Sequence, residues 1–100
     1  MKLQAGLYFE SHVTIDPVFD ADLDRFRGLA CQYGFRVASL LMRKGDGVLV
    51  PSVDDTFCTS RGQVWEDIKC RTRLLVSAAI AEGFTVRRYK IEDTLLDVRL

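Results

Sequence analysis

The chain reads as an α+β domain, a four-stranded antiparallel sheet with two helices on one face. Three observations predict it: strands and helices alternate in the order β-α-β-β-α-β, a four-residue pattern recurs, and each helical stretch ends on a glycine. With 100 residues, 48% of them apolar and 28% charged, it suits a single domain over 1–100 with one core and no covalent staples.

Leu7 to Ile15 alternates, with Leu7, Phe9, Ser11, Val13 and Ile15 on one face and Tyr8, Glu10, His12 and Thr14 on the other. This period of two predicts a half-buried strand, which Asp16-Pro17 ends. A helix follows, with Asp20 as its N-cap, Leu23, Phe26, Ala30 and Tyr33 as its apolar stripe and Gly34 as its stop. The second strand runs from Phe35 to about Arg43, both faces apolar, and Lys44-Gly45-Asp46-Gly47 is a turn by composition. Val48 to Val50 extends the sheet briefly, Ser52 to Asp55 is loop, and Thr56 to Thr59 forms the third strand with Phe57 as its core anchor.

Ser60 begins the second helix, since Ser60 and Gln63 have the spacing of a capping box. Val64, Ile68, Leu75 and Ala79 supply its buried stripe, and Gly83 closes it. The fourth strand spans Phe84 to about Glu92. The tail from Thr94 to Leu100, apolar at Leu95, Leu96, Val98 and Leu100, is expected to pack back on the domain or on a partner. Gly34-Phe35-Arg36-Val37 matches Gly83-Phe84-Thr85-Val86, so the two halves echo each other.

Two β-α-β units in this order resemble the ferredoxin-like α/β plait, whose right-handed crossovers set the first and third strands side by side at the sheet centre. The face away from the helices is then open. It is expected to carry Tyr8, Glu10, His12 and Thr14, with Thr56, Cys58 and Ser60 beside them. Such polar positions on central strands are where a ligand or partner would bind, because apolar β-formers usually fill them.

Several classes fall away on composition. Basic and acidic residues balance at 14 each, six of each in the first 50 residues, so no lobe is built to track a nucleic-acid backbone; nucleic acid is not an expected partner. Cys31, Cys58 and Cys70 lack metal-ligand spacing and are read as free thiols, which predicts no metal, no cofactor and a cytoplasmic setting. No apolar run approaches a membrane span, and the N-terminal residues do not read as a signal peptide.

Phe9-Glu10-Ser11-His12-Val13-Thr14-Ile15 resembles the H-x-T strand of the 2H phosphoesterase superfamily. That resemblance implies action on cyclic phosphates or RNA ends, with His12 as acid or base and Thr14 holding the phosphate. Histidine suits either proton-transfer role near neutrality. Members bring two such strands to one cleft. This chain has one histidine, and Thr59-Ser60-Arg61-Gly62 stands at the pseudo-equivalent place, so a homodimer would have to supply the second. Thr59 to Gly62 at a helix start would also favour a phosphate or carboxylate.

The reading is therefore a small domain that binds a ligand or a partner through its open face, with Tyr8, Glu10, Cys58, Ser60 and Arg61 lining the site. A single-lobe phosphoesterase using His12 and Thr14 is the alternative. Self-association is expected from the apolar tail, an edge-lying second strand and Trp65, and Cys58 is expected to be the most reactive thiol. A small anionic or phosphate-bearing ligand is the expected occupant.

Overall fold

A computed structural model describes residues 6–38, 41–43, 49–51 and 55–96. Its elements are β1 (Gly6–Ile15), α1 (Asp20–Gln32), β2 (Arg36–Ala38), β3 (Leu41–Arg43), β4 (Leu49–Pro51), β5 (Thr56–Gly62), α2 (Trp65–Ala81) and β6 (Val86–Leu96). The main sheet has the order β2-β5-β1-β6, and each neighbouring pair is antiparallel. Each β-α-β unit leaves one strand's width between its two parallel strands, and a strand of the other half fills it. The α+β class, the four-stranded sheet and the central pair of first and third main-sheet strands are as the sequence predicts.

Both helices lie on one face. Phe26 and Ala30 of α1, and Leu75 and Ala79 of α2, share one buried cluster with Val13 and Ile15 of β1 and Cys58 of β5. Phe26 and Phe84 meet edge to face with centroids 5.2 Å apart. Ser11 and Thr72 are buried too. Thr72 donates its hydroxyl proton to the Ile68 carbonyl at 2.7 Å, so Ser11 donates to Thr72 Oγ1, also at 2.7 Å. A buried hydroxyl pair is tolerated because each donor is satisfied.

The recurring Gly-Phe pattern has a physical cause. Gly34 (φ 78°) and Gly83 (φ 91°) take the left-handed conformation that ends a helix. Gly34 and Phe35 donate their N–H groups to the Cys31 and Ala30 carbonyls, and Gly83 and Phe84 donate to Ile80 and Ala79. Both are Schellman motifs, and each following phenylalanine turns into the core. Each helix also lends an arginine to the other's C-terminal end. Arg25 donates to the Glu82 carbonyl at 2.9 Å and covers the Phe84 ring. Arg71 donates to Ser60 Oγ and to the Arg61 carbonyl, while Ser60 donates to the Gly34 carbonyl at 2.7 Å.

Several boundaries differ from expectation. The long second strand is two pieces: β2 joins the main sheet, and β3 pairs with β4 in a separate two-stranded ribbon. The predicted Lys44–Gly47 turn, most of the Ser52–Asp55 loop and the last four residues of the tail lie outside the described residues. Asp20 is the first residue of α1 and not its cap; the Phe19 carbonyl accepts the first helical N–H groups. Ser60 belongs to β5, and α2 begins at Trp65 with Val64 in the cap position, so no Ser60–Gln63 capping box forms. Thr94 to Leu96, read as tail, extends β6 alongside β1. No helix among the described residues is long and apolar enough to cross a membrane.

Candidate functional site

The register of the four strands builds the open face in rows, because directly opposed residues point the same way. Arg36, Thr59, His12 and Lys90 form one row across all four strands. Ala38, Phe57, Thr14 and Arg88 form the next, and Arg61, Glu10 and Glu92 a third. Tyr8 sits opposite Thr94 at the end of the sheet. His12, Thr14, Glu10 and Tyr8 thus share the face that the sequence assigns them, and Arg61, expected at a helix start, joins them on it.

Cys58 and Ser60 do not. Both lie on the helix-covered side of β5, and both are buried, as is Thr56. The register of this strand is one residue from the predicted one, so Phe57, Thr59 and Arg61 take the open face. The reason is volume. Phe26, Phe35, Ile68, Leu75 and Phe84 already fill the space beneath the helices, and only small side chains fit under them. The two buried hydroxyls also find partners, Thr56 accepting from the Val18 N–H and Ser60 donating to the Gly34 carbonyl.

Burial pushes the Cys58 thiol up to about 12, against a smaller lowering by its hydrogen bond with the Val13 backbone. It stays protonated across the neutral range, and the thiolate is the reactive form. Cys31 and Cys70 are exposed on the helices. Limited alkylation of the native protein should therefore label Cys31 and Cys70 and spare Cys58, which mass mapping reads directly. Preferential labelling of Cys58 would mean that β5 carries the other register.

Two contacts to the Glu10 carboxylate connect the middle of the face. His12 Nε2 lies 3.2 Å from Glu10 Oε1, and Arg61 Nε lies 3.4 Å from Glu10 Oε2. The Arg61 guanidinium also stands 5.4 Å from the Tyr8 ring centroid. At the β6 edge Lys90 Nζ lies 2.7 Å from Glu92 Oε1. The Lys90 hydrogen bond and charge hold the Glu92 carboxyl below its usual range, with a smaller contribution from His12.

Two hollows flank the His12–Thr59 pair. On the β6 side, His12, Thr14, Phe57, Arg88 and Lys90 line a hollow of about 290 Å³ together with Asp55 and Glu92. One Asp55 oxygen, Oδ1, is buried there and accepts no hydrogen bond. At the C-terminal end of α1, Cys31, Gly34, Phe35 and Ser60 border a hollow of about 580 Å³ together with Arg36, Thr59 and Arg61. Arg36 and Arg88 have no ion pair among the described residues.

The sequence does not assign Arg36, Asp55, Arg88 or Lys90 to the site, and it reads Phe57, which lies on the open face, as a core anchor. The late basic cluster Arg87-Arg88-Lys90 was visible in the sequence. Its place beside His12 was not, because it depends on the pairing of β6 with β1. The anion site expected at Thr59 to Gly62 does not form at a helix start, since Arg61 and Gly62 are strand residues and α2 begins three residues later. Among the described residues no three His, Cys, Asp or Glu side chains are grouped as a metal site.

No protein-family model matches the chain, and no curated protein does. Among solved structures it is similar to a de novo designed protein, Foldit4, at 9% identity and a TM-score of 0.42, over 93% of this chain and 98% of that one.

Proposed function

We propose that the open sheet face binds a small phosphate-bearing anion. One observation carries the reading: the row Arg36–Thr59–His12–Lys90 crosses all four strands, with Arg88 and the Thr14 hydroxyl one row away. Guanidinium and ammonium groups only donate, and hydroxyls can, so the row suits an acceptor-rich ligand. Arg36 and Arg88, with no ion pair among the described residues, are the cations most available to it, and Arg88 lines the same hollow as His12. The half-exposed setting implies that salt weakens the attraction.

Titration with inorganic phosphate and with a nucleotide 2′,3′-cyclic phosphate tests this. Binding is expected for the parent protein, and His12→Ala and Arg88→Ala are each expected to weaken it at least tenfold. His12 keeps 25% of its side-chain surface exposed and its contact with Glu10 lies at the open face, so His12→Ala should cost no more than about 1 kcal/mol of stability. Absence of binding to both probes would end the reading.

The phosphoesterase alternative draws on His12 and Thr14 lining one hollow. A single chain has one histidine, so it lacks the second histidine that the resembled enzymes use. Binding therefore ranks ahead of catalysis, and product formation from the cyclic phosphate, abolished by His12→Ala, would reverse that order.

A further inference from the structure

We infer that the outer edge of β6 is a homodimer interface, in which two copies pair their β6 strands antiparallel about a two-fold axis at Ile91. The second copy is the occupant that the edge itself specifies. Sequence alone points to the second main-sheet strand for such pairing, but β2 is only three residues long. β6 runs for 11 residues without glycine or proline and, among the described residues, pairs with β1 alone in the main sheet. Its outward N–H and C=O groups form a long template for another strand.

The charge order along β6 fits a reversed copy of itself. Arg88 and Lys90 precede Ile91, and Glu92 and Asp93 follow it. In an antiparallel ladder two opposed residues must both turn their backbone groups toward each other, or both away. A two-fold axis therefore passes through a residue position. With the axis at Ile91, Lys90 faces Glu92 of the second copy twice over, and Arg88 faces Thr94 with Glu92 on the diagonal. An axis at Lys90 or at Glu92 would oppose like charges, which destabilises a strand pair. The Lys90 axis would also need Arg87 to meet Asp93. Arg87 is the extra residue of the bulge that interrupts the β1–β6 register, and it pairs with Asp16 at 3.0 Å.

Among the described residues, the helix side of this edge carries exposed apolar side chains. Arg71 points from α2 toward the Gly34 and Gly62 side of the domain. Ile80 lies nine residues further, about half a turn around the helix, and so projects toward the β6 edge. Ile80 is 60% exposed and Tyr89, on the helix side of β6, is 56% exposed. Pairing at Ile91 brings these side chains of both copies to one seam.

Light scattering over a micromolar concentration series tests the interface. The mass should rise toward twice the 11.3 kDa of the chain. Glu92→Lys and Lys90→Glu should each leave a folded monomer by circular dichroism. The double exchange of Lys90→Glu with Glu92→Lys should restore the dimer, because the reversed pattern is complementary in the same register. Three outcomes each overturn the inference: a parent protein monomeric throughout, a Glu92→Lys variant as dimeric as the parent, or a double exchange that remains monomeric. Hydrogen exchange on the unmodified chain gives a reading independent of variants. Protection within Val86–Leu96 should rise with concentration, and protection that does not change also overturns it.

Discussion

Phe26→Ala should lower the unfolding free energy by about 3–5 kcal/mol, the range for emptying a fully buried phenylalanine site. Phe26 has no exposed surface, and it joins α1 to the sheet and to Phe84 through an edge-to-face contact at 5.2 Å. The cavity would be ringed by parts that cannot collapse into it: two Schellman turns pin Phe35 and Phe84, and the strands are held by their ladders. Domains of this size have about 5–15 kcal/mol in all. The variant should therefore melt more than about 10 °C below the parent, since 1 kcal/mol shifts the midpoint of a domain this small by about 4–8 °C. A loss below about 1 kcal/mol in a denaturant titration would mean that Phe26 is not a central member of the core.

The two helix-ending glycines should respond unequally to the same change. Both have positive φ, so alanine at either should cost about 1–2 kcal/mol in left-handed strain. At Gly83 the space for a Cβ is open. At Gly34 a Cβ would stand 2.9 Å from Arg71 Nη1, the nitrogen that donates to Ser60. Gly34→Ala must therefore shift the guanidinium, the far end of a flexible side chain, and should cost about 0.5–1.5 kcal/mol more than Gly83→Ala, the net worth of a typical hydrogen bond. The excess should vanish when Arg71 is itself replaced by alanine. Urea titrations of the two glycine variants with and without Arg71→Ala measure this coupling, and equal losses at both glycines in the parent background would refute it.

Much of the fold could be read in the sequence because β1 has a wide contrast between its two faces. Val13 and Ile15 on one side and Glu10 and His12 on the other leave a single workable register, and His12 and Thr14 were placed correctly from it. β5 has no such contrast. Thr56, Cys58 and Ser60 are small enough to suit either side, so the one large residue, Phe57, decided the reading and decided it wrongly. A half-buried aromatic on an open face and a core aromatic look alike in one dimension. What separates them is how much volume α1, α2 and the turn phenylalanines have already supplied. The same ambiguity produced the false capping box: Ser60 and Gln63 have the right spacing, but the Ser60 hydroxyl serves the Gly34 carbonyl 26 residues away. Spacing reports local opportunity, and a distant carbonyl can outbid it. The membership of Arg36, Arg88 and Lys90 in the candidate site was hidden for a related reason, since each reaches the row only through strand pairings between remote parts of the chain.

The position of β1 at the centre of the sheet also governs how the protein can be made. Both of its partners, Thr56–Gly62 and Val86–Leu96, come from the second half of the chain. Among the described residues no strand of the first half pairs with it, so a strand made early waits for one made about 70 residues later. Until Val86–Leu96 is available, an edge bearing Val13 and Ile15 is left unpaired. Such long-range closure slows folding and prolongs exposure to aggregation. Placing the β6 segment ahead of β1 by circular permutation would turn the slowest contact in the molecule into a local hairpin. It should speed folding while leaving the final sheet unchanged.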